Sequence, residues 1–149
     1  MCNTLEFIPF NSLLKQQITT LEQKCFSNRI LTESFDDYIQ KDYFFSCCAV
    51  NNGVVCGYIC ANMLYDFAEI IDLAVDQSFR RKHIAKKLMD EFFCACKAKG
   101  ISTAVLEVAS KNTPAIALYN GFGFKTDRIV KNYYNNPRDD AFCMSATIN

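Results

Sequence analysis

The spacing of apolar residues changes period several times along the chain, and each change marks an element. Leu5, Phe7 and Ile8 suggest a short strand. Leu13, Leu14, Ile18 and Leu21 then recur at helical spacing, and a second helix is predicted from about Thr32 to Gln40. The run from Tyr43 to Val50 is rich in aromatic, cysteine and β-branched residues, Asn51-Asn52-Gly53 marks a turn, and Val54 to Leu64 resumes as a strand, so this stretch is a hairpin. After Tyr65-Asp66, a further strand from Phe67 to Val75 completes a three-stranded antiparallel meander.

A helical period returns beyond His83, where Ile84, Leu88, Phe92 and Cys96 share one face flanked by Ala85, Met89 and Phe93, and Gly100 closes the helix. Ile101 to Val108 follows as a strand. Pro114 suits an early position of the next helix, which carries Ile116, Ala117 and Tyr119 and is closed by Gly121 and Gly123. Two last strands, Phe124 to about Tyr134 and Ala141 to Ile148, flank the turn-rich segment Asn135 to Asp140. The fold class expected is α/β with α+β-like character. Its mixed sheet combines an antiparallel meander, a parallel β-α-β crossover and a terminal hairpin. No repeat or linker interrupts the pattern, so residues 1–149 are expected to form a single domain.

Sixteen basic and sixteen acidic side chains cancel, which argues against general attraction to nucleic acid or an anionic membrane and makes any anion site local. The start of the chain lacks the pattern of a signal peptide and no apolar run is long enough to span a bilayer, so the expected location is cytoplasmic. The nine cysteines are odd in number, never form a CxxC pair, and are joined by a single histidine. They are expected to be reduced thiols acting as small hydrophobes, with no bound metal.

Chemistry concentrates in two segments. In the first, Asp72-Leu73-Ala74-Val75 ends a strand, and Arg80-Arg81-Lys82-His83-Ile84-Ala85 opens a helix. Free backbone N–H groups and a positive dipole end beside basic side chains can hold a pyrophosphate, although a basic triplet alone also fits a solvated helix start. In the second, Glu107 interrupts the apolar run Val105 to Val108. Burial there would raise its pKa and suit it to accept a proton, whereas strict alternation would turn it to the solvent face. Tyr119 is either a proton donor or a core residue with a hydrogen-bonded phenol.

Taken together these segments resemble the GNAT superfamily of N-acetyltransferases. Arg80, His83 and Ala85 stand at the signature positions of its Arg/Gln-x-x-Gly-x-Gly/Ala motif, and Leu106-Glu107-Val108, Asn112, Ala115-Ile116-Ala117-Leu118-Tyr119 and Gly121-Phe122 are similar to its later motif. The branch most similar is that of the bacterial ribosomal-protein-alanine N-acetyltransferases, whose tail is echoed by Lys131-Asn132-Tyr133-Tyr134 and Asp139-Asp140-Ala141. The resemblance implies acetyl-CoA as donor and a protein N-terminal amine as acceptor, with a ribosomal protein beginning with alanine as the expected partner. It implies Glu107 as proton acceptor and Tyr119 as proton donor. It also implies that the donor is held by Leu73, Ala74, Val75, Arg81, Lys82, His83, Ile84, Ala85, Lys86 and Asn112. Tyr133 and Tyr134 are expected to wall the peptide groove or, alternatively, to pack at an exposed hairpin tip.

Two positions depart from the pattern: His83 replaces the usual glycine, and Ala109 replaces a frequent arginine. A family member acting on a small amine or a lysine side chain, and a non-catalytic acetyl-CoA-binding domain, remain alternatives at this level.

Overall fold

The computed structural model describes residues 5–27, 29–80 and 82–149. In chain order the elements are β1 (Leu5–Ile8), a 3-10 turn (Ser12–Leu14), α1 (Lys15–Cys25), α2 (Ile30–Tyr38), β2 (Phe44–Asn51), β3 (Val54–Leu64) and β4 (Phe67–Val75). A second 3-10 turn (Gln77–Phe79) precedes α3 (Ile84–Ala98), β5 (Thr103–Ala109), α4 (Thr113–Gly121), β6 (Lys125–Asn135) and β7 (Arg138–Thr147). The seven strands hydrogen-bond in the order β1-β2-β3-β4-β5-β7-β6. β1, β2 and β3 pair antiparallel, β4 and β5 pair parallel across the α3 connection, and β7 runs antiparallel to both β5 and β6. The expected mixed sheet is therefore present. Asn52 and Gly53 both take positive φ, the geometry a two-residue hairpin loop demands.

The chain forms two compact units, one of Met1–Asn62 with Ile71–Ala95 and one of Met63–Ile70 with Cys96–Asn149. In the first, Phe10 stacks on Phe35 with ring centroids 5.7 Å apart and meets Tyr58 edge-on. Ile18, Leu21 and Leu31 close the same core. The face of α3 predicted from its period is inside, with Ile84, Leu88 and Phe92 buried. Leu13 departs from the expected helix face: it lies in the 3-10 turn capped by Asn11, before α1 begins, and is 91% exposed.

Helix α2 begins two residues earlier than its local pattern predicts because its first amides are satisfied by a side chain of the preceding helix. The Glu22 carboxylate, fully buried, accepts the backbone N–H groups of Leu31 and Thr32, each at 2.8 Å, and the Thr32 hydroxyl at 2.7 Å. An anion at the positive end of a helix satisfies amides that would otherwise be orphaned. Buried beside it, Asp72 accepts the Tyr58 hydroxyl at 3.3 Å and hydrogen-bonds Glu22. Burial, reinforced by the neighbouring Glu22 charge, raises the Asp72 carboxyl to about 8, so near neutrality it keeps the proton that two adjacent carboxylates could not both release.

In the second unit, Leu106, Val108, Ala141, Met144 and Ala146 are buried, and Tyr119 meets Phe124 edge-on with centroids 5.7 Å apart. The terminal hairpin is longer than expected. Only Asn136 and Pro137 lie outside its strands, and Asn135 pairs with Arg138, because polar residues extend a ladder readily where they are exposed.

The raised Asp72 gives stability a definite pH dependence. An unfolded aspartate releases its proton near 3.9, whereas the folded protein holds it up to about 8. Between those values the folded state binds the extra proton, so stability falls as pH rises, by at most about 1.4 kcal/mol per unit. Urea denaturation at pH 5, 6, 7 and 8 is expected to show this decline in the wild type and a flatter dependence in Asp72→Asn. An unchanged slope in the variant assigns the decline to another group.

Candidate active site

One candidate segment lies where β4 hands over to α3. The chain leaves Val75 through the 3-10 turn, in which the Asp76 side chain accepts the Ser78 N–H at 2.9 Å. The intrahelical bond from Lys87 N–H to the His83 carbonyl, at 3.0 Å, sets the register of the first turn of α3. The amides of Ile84, Ala85 and Lys86, which precede it, therefore point out of the helix's positive end. Lys82 and Lys86 are exposed around them, and the Lys82 ammonium lies 5.3 Å from the centre of the Phe79 ring. Arg81 lies outside the described residues. Leu73 and Val75 are half-buried on either side of buried Ala74.

Gly57 on β3 allows these segments to meet. A Cβ at this position would sit 2.9 Å from the Ala74 carbonyl oxygen, 3.2 Å from Ile84 Cγ2 and 3.3 Å from Val75 Cγ2. The end of β4 and the start of α3 thus converge over a residue without a side chain. The sequence reading did not single it out, although an isolated glycine within a strand run is the signal of such a close approach. His83 adopts φ of +61°, the left-handed conformation that the family's glycine favours. Its exposed side chain fits there at a backbone cost rather than through a clash.

A second candidate segment, in the other compact unit, is carried by β5, α4 and the β6–β7 hairpin. Along β5, Leu106 and Val108 turn inward and Glu107 is exposed, so alternation prevails. The Tyr133 hydroxyl hydrogen-bonds Glu107, and this bond, with some burial, pushes the Tyr133 phenol up to about 12. Tyr134 packs edge-on against Tyr133, with centroids 5.0 Å apart, and is raised to about 12 chiefly by burial and then by the Glu107 charge. The two tyrosines therefore pack together near the turn of the hairpin and beside Glu107. Asn112 is the N-cap of α4, its side-chain oxygen accepting the Ala115 N–H at 3.3 Å, which leaves the donor end of its amide for other work. Tyr119, on the same helix, is 7% exposed and packs on Phe124.

The profile of the Acetyltransferase (GNAT) family matches residues 15–124. The chain belongs to the GNAT acetyltransferase family. It is similar to the [ribosomal protein bS18]-alanine N-acetyltransferase of Escherichia coli strain K12, with 31% identity over 99 residues that cover 65% of this chain and 67% of the relative. Its fold matches the crystal structure of the Escherichia coli ribosomal-protein-S18-alanine N-acetyltransferase with a TM-score of 0.89 at 24% identity, over 98% of this chain and 95% of that one. It also matches Arabidopsis thaliana NAA60 in complex with acetyl-CoA, with a TM-score of 0.87 at 22% identity over 98% and 99% of the two chains.

For this GNAT chain, the eight cysteines among the described residues are free thiols. Burial pushes Cys47 up to about 12 and Cys96 up to about 11, which keeps both protonated and weakly nucleophilic near neutrality. Among the described residues no group of three or more His, Cys, Asp or Glu side chains gathers as a metal site. Nor is any helix among them long and apolar enough to cross a membrane.

Substitutions at two positions test this geometry through stability. His83→Gly is expected to raise unfolding free energy by about 1 kcal/mol by removing left-handed strain, with His83→Ala close to wild type. Gly57→Ala is expected to lower it by roughly 1–3 kcal/mol, because backbone rather than a flexible side chain stands in the way. Denaturant midpoints of the three variants check both.

Proposed function

We propose that this chain transfers an acetyl group from acetyl-CoA to the N-terminal α-amino group of a protein, a ribosomal protein beginning with alanine being the expected acceptor. The observation that carries the reading is the exposed Glu107 carboxylate, engaged by one tyrosine hydroxyl and bordered by a second tyrosine, in a chain similar to an enzyme named for this reaction. Acetyl-CoA as donor is supported by the outward amides and lysines at the start of α3, whose chemistry suits a pyrophosphate. Leu73, Ala74, Val75, Arg81, Lys82, His83, Ile84, Ala85, Lys86 and Asn112 are the residues proposed to hold it. Tyr133 and Tyr134 border the acceptor. Residues 1–149 are taken to work as one acetyltransferase domain.

In the proposed reaction the α-amino nitrogen attacks the thioester carbonyl carbon directly, and the carbon–sulfur bond breaks. Glu107 accepts the proton lost by the amine, directly or through water, and Tyr119 gives its proton to the departing thiolate. A backbone N–H between Leu73 and Val75 steadies the charge on the carbonyl oxygen. An α-amino group, with a pKa near 7.7–8.0, is about a tenth neutral at pH 7, whereas a lysine near 10.4 is far below one per cent. The α-amino group therefore presents far more of the neutral, nucleophilic form than a lysine does.

The test is release of CoA thiol from acetyl-CoA with short peptides. Peptides with free Ala or Ser N-termini are expected to support turnover, and blocked peptides with an internal lysine are not. Glu107→Gln and Tyr119→Phe are each expected to lower kcat by about 100-fold or more while the KM for acetyl-CoA holds. Wild-type turnover in Tyr119→Phe removes the proton-donor role, and turnover confined to lysine peptides or small amines moves the acceptor to another class.

A further inference from the structure

Of the tail motif shared by the hairpin strands, only Tyr133 and Tyr134 have a part in the reaction as proposed so far, and the geometry gives Asp139 and Asp140 one as well. On β6 and β7 the pairing runs Val130 with Ala141 and then Tyr134 with Asp139. Three residues, Lys131, Asn132 and Tyr133, therefore stand opposite the single residue Asp140. Such a bulge breaks the ladder and re-aims the side chains it carries. Asn132 turns through a positive φ of 55°, and its amide, which would otherwise lose its ladder partner, donates to Asp140 Oδ1 at 2.9 Å. The other oxygen of Asp140 accepts the Lys131 ammonium at 3.2 Å, and Arg138 Nε donates to Asn132 Oδ1 at 3.1 Å. One side chain thus supplies the acceptor that the backbone of the facing strand does not, immediately before the tyrosine that reaches Glu107.

The neighbouring carboxylate fastens the same point of β7 to the loop after β5. Asp139, buried, accepts the Ser110 hydroxyl, the Lys111 N–H at 2.9 Å and the Asp140 N–H at 2.7 Å, while the Ser110 N–H donates to the Asp140 carbonyl at 2.9 Å. The Ser110 hydrogen bond holds the Asp139 carboxyl below the usual range, and the Asn132 amide does the same for Asp140. Both depressed carboxylates favour the folded arrangement above the ordinary aspartate pKa and lose that contribution only as pH falls below it. Both carboxylates are therefore ionised in the neutral range, and these hydrogen bonds anchor the bulge to the loop that leads into Asn112.

We infer that Asp140, with Asp139 as its anchor, is a positioning residue: it locks the Lys131–Tyr133 bulge so that the Tyr133 hydroxyl holds one oxygen of Glu107, leaving the other oriented toward the acceptor amine. This rests on Glu107 being the proton acceptor. A carboxylate has two oxygens and several acceptor directions, so a donor fixed on one of them selects the rotamer of the group. On an exposed strand position the chain offers Glu107 little packing that would otherwise select it.

Steady-state kinetics with a free-N-terminus peptide tests the assignment. Asp140→Ala is expected to lower kcat about tenfold or more, since small misplacements of a reacting group are costly, with the KM for acetyl-CoA unchanged. Asp140→Asn keeps the acceptor for the Asn132 amide and is expected to recover most of the loss. Tyr133→Phe removes only a hydroxyl from a half-exposed ring and is expected to lower kcat to a similar degree without moving the melting temperature. In the Tyr133→Phe background, Asp140→Ala should cost little more, because both act through one contact.

Wild-type kcat in Tyr133→Phe overturns the inference even if Asp140→Ala fails to fold, and so do losses that multiply in the double variant. Glu107→Gln separates the two levels. If it is inactive while Tyr133→Phe and Asp140→Ala are not, the positioning role falls and the proton acceptor stands. If Glu107→Gln keeps full activity, the reading beneath it falls.

Discussion

A side chain at position 57 would run into the carbonyl of Ala74, and the absence of one lets the end of β4 meet the start of α3. From that approach follows the geometry of the turn into α3. Ile84 sits in the core as the first residue of α3, so the amides of the opening turn face outward beside Lys82 and Lys86. His83 then has to turn through a left-handed backbone that suits glycine better. The constraint is steric and local, and the anion-binding chemistry of the turn is its consequence.

The carboxylates show how one functional group is turned to three uses by its surroundings. Glu22 and Asp72 are buried together and hydrogen-bonded, which joins the start of α2 to β4 through Tyr58 and the Glu22 cap. Asp139 and Asp140 accept backbone amides at a bulge and shape the hairpin. Glu107 is exposed, with a tyrosine hydroxyl on it and aromatic rings beside it. Only the last has the access that proton transfer to or from a bound molecule needs.

Much of this was legible in the sequence wherever a local period carried the signal. The face of α3 from Ile84 to Cys96, the meander ending at Val75 and the Asn52-Gly53 turn follow from spacing and turn chemistry alone. What escaped depends on side-chain partners in a neighbouring element. The cap that starts α2 at Ile30 comes from Glu22, and the two strands of the terminal hairpin do not match residue for residue because three positions face Asp140. Leu13 kept its helical spacing yet lies in a 3-10 turn, where that spacing carries no orientation. For Glu107, alternation and burial gave opposite expectations, and the inward packing of Leu106 and Val108 decides between them.

The central claim concerns which nitrogen receives the acetyl group, and the most direct measurement reads that nitrogen. A peptide with a free N-terminal alanine and an internal lysine, incubated with the protein and acetyl-CoA at pH 7 and sequenced by tandem mass spectrometry, is predicted to carry a single acetyl group on its α-nitrogen. Acetyl on the lysine side chain, or an unmodified peptide when the protein demonstrably binds acetyl-CoA, would contradict the account.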